Sequence, residues 1–211
     1  MIRRVASFMS ALTIVLLPMA AHADGGWYGA FDLGQSRFDS GALQSLVPAG
    51  WPSTVSDHDT GHRFTGGYQF NSYWGLEASY TDLGSAKVYA KNPNPPIPDV
   101  PTYVQNSFDA KGWGLAGTGT YPFNDAWSVF GRLGMMRAQF HHQVQSDGLF
   151  TNPNVTDTAW KTAYGVGANW NFDRNWSLRL GYDWYRKLGN GGTTGEYNVG
   201  LLSLGVEYRF F

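Results

Sequence analysis

The feature that most constrains this chain is its final run, Ser203-Leu204-Gly205-Val206-Glu207-Tyr208-Arg209-Phe210-Phe211. Leu204, Val206, Tyr208 and Phe210 share one parity, and Ser203, Gly205, Glu207 and Arg209 share the other. Period-two alternation marks a strand with two chemically different faces. A strand of this kind suits a wall whose outside is lipid and whose inside is a narrow polar lumen. Seven earlier segments repeat the contrast, so the sequence predicts an all-β fold: an eight-stranded antiparallel up-and-down transmembrane β-barrel.

The predicted strands cover 26–36, 61–70, 74–82, 110–121, 127–138, 158–172, 176–185 and 203–211. The cleanest sets Trp176, Leu178, Leu180, Tyr182 and Trp184 against Ser177, Arg179, Gly181, Asp183 and Tyr185. Another places Phe64, Tyr68 and Phe70 opposite Arg63, Thr65, Gly67 and Gln69. Segments of about 9 to 15 residues suit a tilted membrane strand. The connections alternate between short (71–73, 122–125, 173–175) and long (37–60, 83–108, 139–157). Short turns on one side and long loops on the other are usual for outer-membrane barrels, and they predict both termini on the periplasmic side.

The other end of the chain indicates the compartment. Arg3 and Arg4 precede a short apolar core from Ala11 to Met19, and Ala21-His22-Ala23 supplies a small-x-small cleavage pattern. That core falls short of the roughly 20 residues a spanning helix needs. Residues 1–23 are therefore expected to be a cleaved signal peptide and 24–211 the barrel domain. A formal net charge of −1 gives no support for nucleic-acid binding. With no cysteine there is no disulfide or thiolate metal site, and no cofactor is expected.

The order of motifs resembles the membrane domain of the outer membrane protein A family. Trp27-Tyr28-Gly29-Ala30 with Leu33-Gly34 is similar to that family's first strand. Gly66-Gly67-Tyr68-Gln69, followed by Asn71, Tyr73, Gly75, Glu77, Tyr80, Leu83 and Gly84, is similar to its next hairpin. Tyr121-Pro122 with Asp125, Arg132-Leu133-Gly134 and Met136 follows, then Arg179-Leu180 with Tyr182 and Trp184. Leu202-Ser203-Leu204-Gly205-Val206 and Tyr208-Arg209-Phe210 complete the resemblance. It implies an interior ion pair that blocks the lumen, matched by Glu77 and Arg179, and a lysine able to replace the arginine as partner. Thr118 stands at that lysine position. Asp32 stands where the family has a lysine, Asn169 where it has a glutamate, and Phe130 where a tyrosine is expected. No peptidoglycan-binding domain follows Phe211, so the expectation is a barrel without that domain. Gly205, Tyr208 and Phe210 resemble the terminal signal read by the barrel-assembly machinery. Implied partners are outer-membrane lipid and lipopolysaccharide, that machinery, and host-surface ligands met by the loops.

Glu77, Arg179, Arg132, Asp32 and Glu207 are the candidate interior residues for an ion-pair core or a gate. A static salt-bridge core filling a narrow barrel is the favoured account of them over a gate for ions or water. His141-His142, near Asp147, could suggest a metal or hydrolase site, but adjacent strand residues point to opposite faces. Gly112-Trp113-Gly114-Leu115-Ala116-Gly117 fits a dinucleotide fingerprint without the strand–helix context that fingerprint requires. The expectation is a non-enzymatic envelope barrel, with a structural role and a weakly ion-conducting, porin-like lumen. An adhesin acting through its long loops is the alternative, and a lipid A-modifying enzyme is a remoter one.

Overall fold

The computed structural model describes residues 25–94, 100–147, 154–192 and 195–210. The expected signal segment, parts of the predicted 83–108 and 139–157 connections and Phe211 lie outside these residues. The described elements are β1 (Gly26–Phe38), α1 (Ser40–Gln44), β2 (Ser53–Ser56), β3 (His58–Gln69), β4 (Trp74–Lys91), β5 (Tyr103–Pro122), β6 (Trp127–Ser146), β7 (Asn154–Asn171), β8 (Trp176–Asn190) and β9 (Gly195–Arg209). Neighbours run β4-β3-β1-β9-β8-β7-β6-β5, all antiparallel, and β5 pairs back to β4 to close the barrel. Closure leaves no edge in the lipid-facing wall, so its backbone groups are satisfied without water.

Eight strands form the barrel as the alternation predicts, and a short ninth, β2, pairs with the upper part of β4. The strands are longer than predicted: β5 and β6 reach 20 residues, and the last begins at Gly195 rather than Ser203. Much of the predicted long connections is thus strand. In β4 and β8 the predicted strands stop where the regular ladder stops. A β-bulge interrupts pairing between Asp82 and Ser85, and another between Tyr185 and Leu188. Gly84 (φ 68°) and Lys187 (φ 54°) carry the left-handed backbone at these two bulges.

The short turns have a local cause. Asn71 Oδ1 accepts from the Tyr73 and Trp74 amides, both at 2.9 Å. Asn124 Oδ1 does the same for Ala126 and Trp127, at 2.9 and 2.8 Å. Such side-chain turns replace backbone bonds that a tight reversal cannot make. Both ends of the barrel chain lie at this short-turn rim, since Gly26 pairs with Gln69 and Tyr28 with Arg209. Aromatic pairs ring the rim, among them Trp27–Tyr68, Trp127–Trp170 and Trp176–Tyr208.

Polarity inverts along the barrel axis. In the short-turn half, Leu76, Leu115, Leu133, Leu180 and Leu204 face out while charged and small residues face in. In the loop half, Lys87, Lys111, Arg137 and Gln139 face out, and Leu83, Phe108, Met136, Phe140, Leu188, Tyr197 and Leu201 pack together inside. Leu43, brought over by α1, and Phe38 complete this apolar plug. Asp39 caps α1 by accepting from the amides of Gly41 and Ala42.

The plug behaves as an ordinary hydrophobic core. Leu201→Ala and Phe108→Ala are each expected to cost about 3 kcal/mol. Gln139→Ala, on the outer face at similar height, should stay within about 0.5 kcal/mol. Urea midpoints in detergent micelles, followed by tryptophan fluorescence, check the difference.

Candidate functional site

Below the plug the lumen holds a continuous chain of opposite charges. Asp32 on β1 meets Arg63 on β3 at 3.0 Å, and Arg63 reaches Asp183 on β8 at 2.7 Å. Asp183 also faces Arg132 on β6, with Oδ1 3.1 Å from Nε. Arg132 donates to Glu77 on β4 at 3.4 Å, and Arg179 on β8 donates to the same carboxylate at 2.8 Å. Arg179 then pairs with Glu207 on β9 at 3.3 Å, and Glu207 with Arg209 at 3.2 Å. Every carboxylate except Asp32 touches two cations, and every buried arginine touches two carboxylates. Asp32, Glu77, Asp183 and Glu207 are balanced by Arg63, Arg132, Arg179 and the half-exposed Arg209. The ladder is therefore neutral. Buried charge is tolerated only under that condition.

Alternation places these groups inside, and glycine makes room for them. A Cβ on Gly205 would collide with the Asp32 carboxylate, and one on Gly165 with that of Asp183. A Cβ on Gly67 would strike the ring of Tyr28, whose hydroxyl donates to Glu77 at 2.9 Å. Phe130 lies 4.9 Å from both the Arg132 and Arg179 guanidinium centres, so its ring face receives two cations. A tyrosine hydroxyl is not needed for that contact.

All five candidate interior residues are buried in this ladder: Asp32, Glu77, Arg132, Arg179 and Glu207. Reading by sequence left out two of its buried members, Arg63 and Asp183, although both stood on the polar parity of their strands. Asp32, which replaces a lysine in the resemblance, is answered by Arg63. Thr118 is buried and lies directly across from Arg132, so the second cation near Glu77 comes from the neighbouring strand. Asn169 is also buried and faces the lumen beside Arg179.

A vestibule of about 660 Å³ opens from the short-turn rim and reaches Glu77, Thr118, Arg179 and Glu207. The charge ladder and then the apolar plug stand above it. Of the terminal residues singled out earlier, Gly205 faces the lumen against Asp32. Tyr208 and Phe210 lie at the rim in edge-to-face contact, 5.0 Å apart.

The remaining candidates separate. His141 faces out and shares a hydrogen bond of 3.0 Å with Thr156, while His142 faces in against Asn106 and stacks on Phe108. Asp147 accepts from the amides of Thr102 and Tyr103 and from the Thr102 hydroxyl, which holds its carboxyl below the usual range and ties β5 to β6. Among the described residues no cluster could hold a metal ion.

The profile of the OmpA-like transmembrane domain matches residues 22–211. Outer membrane protein A of Klebsiella pneumoniae is 32% identical over 195 residues, which are 90% of this chain and 53% of that protein. Its counterpart in Klebsiella aerogenes is 31% identical, with 90% and 50% covered. The chain thus spans about half the length of these relatives. The fold is also that of Neisserial surface protein A, with a TM-score of 0.55 at 16% identity, covering 88% of this chain and 97% of the other. The attachment invasion locus protein of Yersinia pestis gives 0.52 at 19%, covering 88% and 99%.

Arg63 tests the ladder. Arg63→Ala leaves Asp32 with no cation and Asp183 with Arg132 alone, and should cost about 3–5 kcal/mol. Adding Asp32→Asn should recover part of that loss by removing the unpaired charge. Arg186→Ala on the exposed face serves as the reference, and an Arg63→Ala midpoint equal to its midpoint would show the ladder to be energetically idle.

Proposed function

The chain belongs to the OmpA-like transmembrane domain family, and on that footing we propose that it is a structural barrel of the outer membrane whose lumen is closed at rest. The ladder joining Asp32 to Glu207 above the vestibule carries this reading. An ion entering from the short-turn side meets Glu77 already held by two arginines. Beyond it lies the apolar plug, which offers no ligand to replace an ion's hydration shell. Conduction then requires Glu77 to give up Arg179 and rest on Arg132 alone. Arg132, already paired with Glu77, is the cation left to hold it, because Thr118 carries no charge.

In planar bilayers, wild-type protein should open rarely, and Arg179→Ala should alter the frequency of opening more than the conductance once open. Identical traces together with identical unfolding midpoints would remove both the gate and the core role of the pair.

A second reading, binding at the cell surface, draws support from strand length. β4 to β7 have 18 to 20 residues, against roughly 9–11 needed to cross the bilayer. The sheet therefore stands beyond the apolar band and would hold its connecting segments outward on a stiff support. On this proposal the short-turn rim and both termini face the periplasm, where the assembly machinery would meet Gly205, Tyr208 and Phe210. An epitope inserted between Asn92 and Pro101 should be reached on intact cells. The same insertion at Asn124 should need a permeabilised outer membrane, and the opposite pattern would reverse the orientation.

A further inference from the structure

The lipid-facing wall carries a row of outward side chains that neither the ladder nor the plug uses. Cross-strand pairing sets Phe64 beside Tyr80, Tyr80 beside Trp113, Trp113 beside Arg137 and Arg137 beside Trp160. The row climbs toward the loop end: Trp113 stands nine residues above the end of β5 and Arg137 ten above the start of β6. Ten residues of a strand tilted by about 40° rise roughly 25 Å, the height of the apolar band of such barrels. On β6 the outward residues before Arg137 are Trp127, Val129, Gly131, Leu133 and Met135, all uncharged. On β5, Lys111 is likewise the first outward charge met from the short-turn rim. Both cations are therefore at the upper edge of the lipid band, where lipid phosphates lie.

Neither cation is spoken for. Among the described residues Arg137 and Lys111 form no ion pair, although Asp82 pairs in register with Lys111 and Asp109 lies two residues away on the same face. The cross-strand neighbours of Arg137 are both tryptophans, side chains that favour the headgroup level. Below the row runs an apolar groove of about 810 Å³ that ends against Tyr80 and Trp113. Gly29, Gly66 and Ala78 form its floor, with Phe31 and Phe64 above and Phe210 below.

We propose that this groove and Arg137, assisted by Lys111, form a binding site for a phosphate-bearing lipid of the surrounding membrane. One acyl chain lies over Gly29, Gly66 and Ala78, and the phosphate takes the two-pronged hydrogen bonds that a guanidinium offers. The charge at the top of the groove selects the occupant, since a neutral lipid would leave Arg137 unpaired at the headgroup level. The site depends on the membrane-embedded reading of the barrel.

Native mass spectrometry of the refolded chain tests it, with diphosphoryl lipid A, dephosphorylated lipid A and inorganic phosphate as separate probes. Wild type should retain diphosphoryl lipid A in preference to the dephosphorylated form and should not retain inorganic phosphate. Arg137→Ala with Lys111→Ala should lower that retention about tenfold, the scale of one lost charge-assisted hydrogen bond. The charge-matched pair Lys87→Ala with Lys91→Ala should leave it unchanged. Gly66→Val is the second arm. A Cβ at Gly66 meets nothing within 4 Å, so the change fills the groove without straining the wall, and retention should fall although both cations remain. Equal retention of the two lipid A forms, or undiminished retention in the Arg137/Lys111 variant, overturns the site. Equal losses in the two charge-matched pairs would reduce it to bulk attraction, and an unaffected Gly66→Val would remove the groove. A heat-dependent shift in gel mobility must accompany each protein, and its absence in wild type would count against the membrane barrel instead.

Discussion

A charge placed inside a narrow lipid-facing wall has almost no water to fall back on, so it stands only if an opposite charge stands beside it. The interior of this barrel obeys that constraint by extension: Asp32, Arg63, Asp183, Arg132, Glu77, Arg179 and Glu207 alternate in sign from one side of the lumen to the other. No member has a private partner. Loss of any one but Asp32 is felt by two neighbours drawn from different strands, and the ladder thereby ties β1, β3, β4, β6, β8 and β9 together across the lumen. The glycines at 67, 165 and 205 belong to the same arrangement, because they give up volume to the side chains that bridge it.

Above the ladder the governing interaction changes. Phe108, Phe140, Tyr197, Leu201 and their neighbours are held together as in a water-soluble protein, with polar side chains outside. One closed sheet thus serves two solvents. Its lower half is apolar outside and polar inside, and its upper half is the reverse.

That division explains what could be read from sequence. In the lower half, large apolar and charged residues fall on opposite parities, and the eight strands, the lumen-facing positions of Glu77 and Arg179 and the tight turns at Asn71 and Asn124 were all legible. The upper half was not. Alternation there has the opposite sense, so Ala86, Val88 and Ala90 against Lys87, Tyr89 and Lys91 resembles an exposed loop to a reader following lipid-facing residues. Arg63 and Asp183 were visible as inward residues, but their importance lies in a distance across the lumen, between positions 120 residues apart, that no local pattern encodes. The resemblance supplied the pair at Glu77 and Arg179 and could not supply the rest. At Asp32 and Thr118 this chain departs from the pattern it was compared with.

The bulge at Gly84 is where these two halves meet in β4. Up to that point the inward residues are the odd-numbered ones, Gly75, Glu77, Ser79, Thr81 and Leu83. Continued without interruption, that phase would bring Ser85, Lys87, Tyr89 and Lys91 to the inside. One additional residue advances the phase by half a period, and Ala86, Val88 and Ala90 go in instead. Tyr185 and Leu188 bracket the same step in β8, sending Leu188 inward where Lys187 would have pointed. A single deleted residue at either step would reverse the faces of everything downstream to the next loop, exchanging lysine for alanine or leucine in the core. The water line of this barrel is thus written into the backbone of β4 and β8 as well as into its side chains.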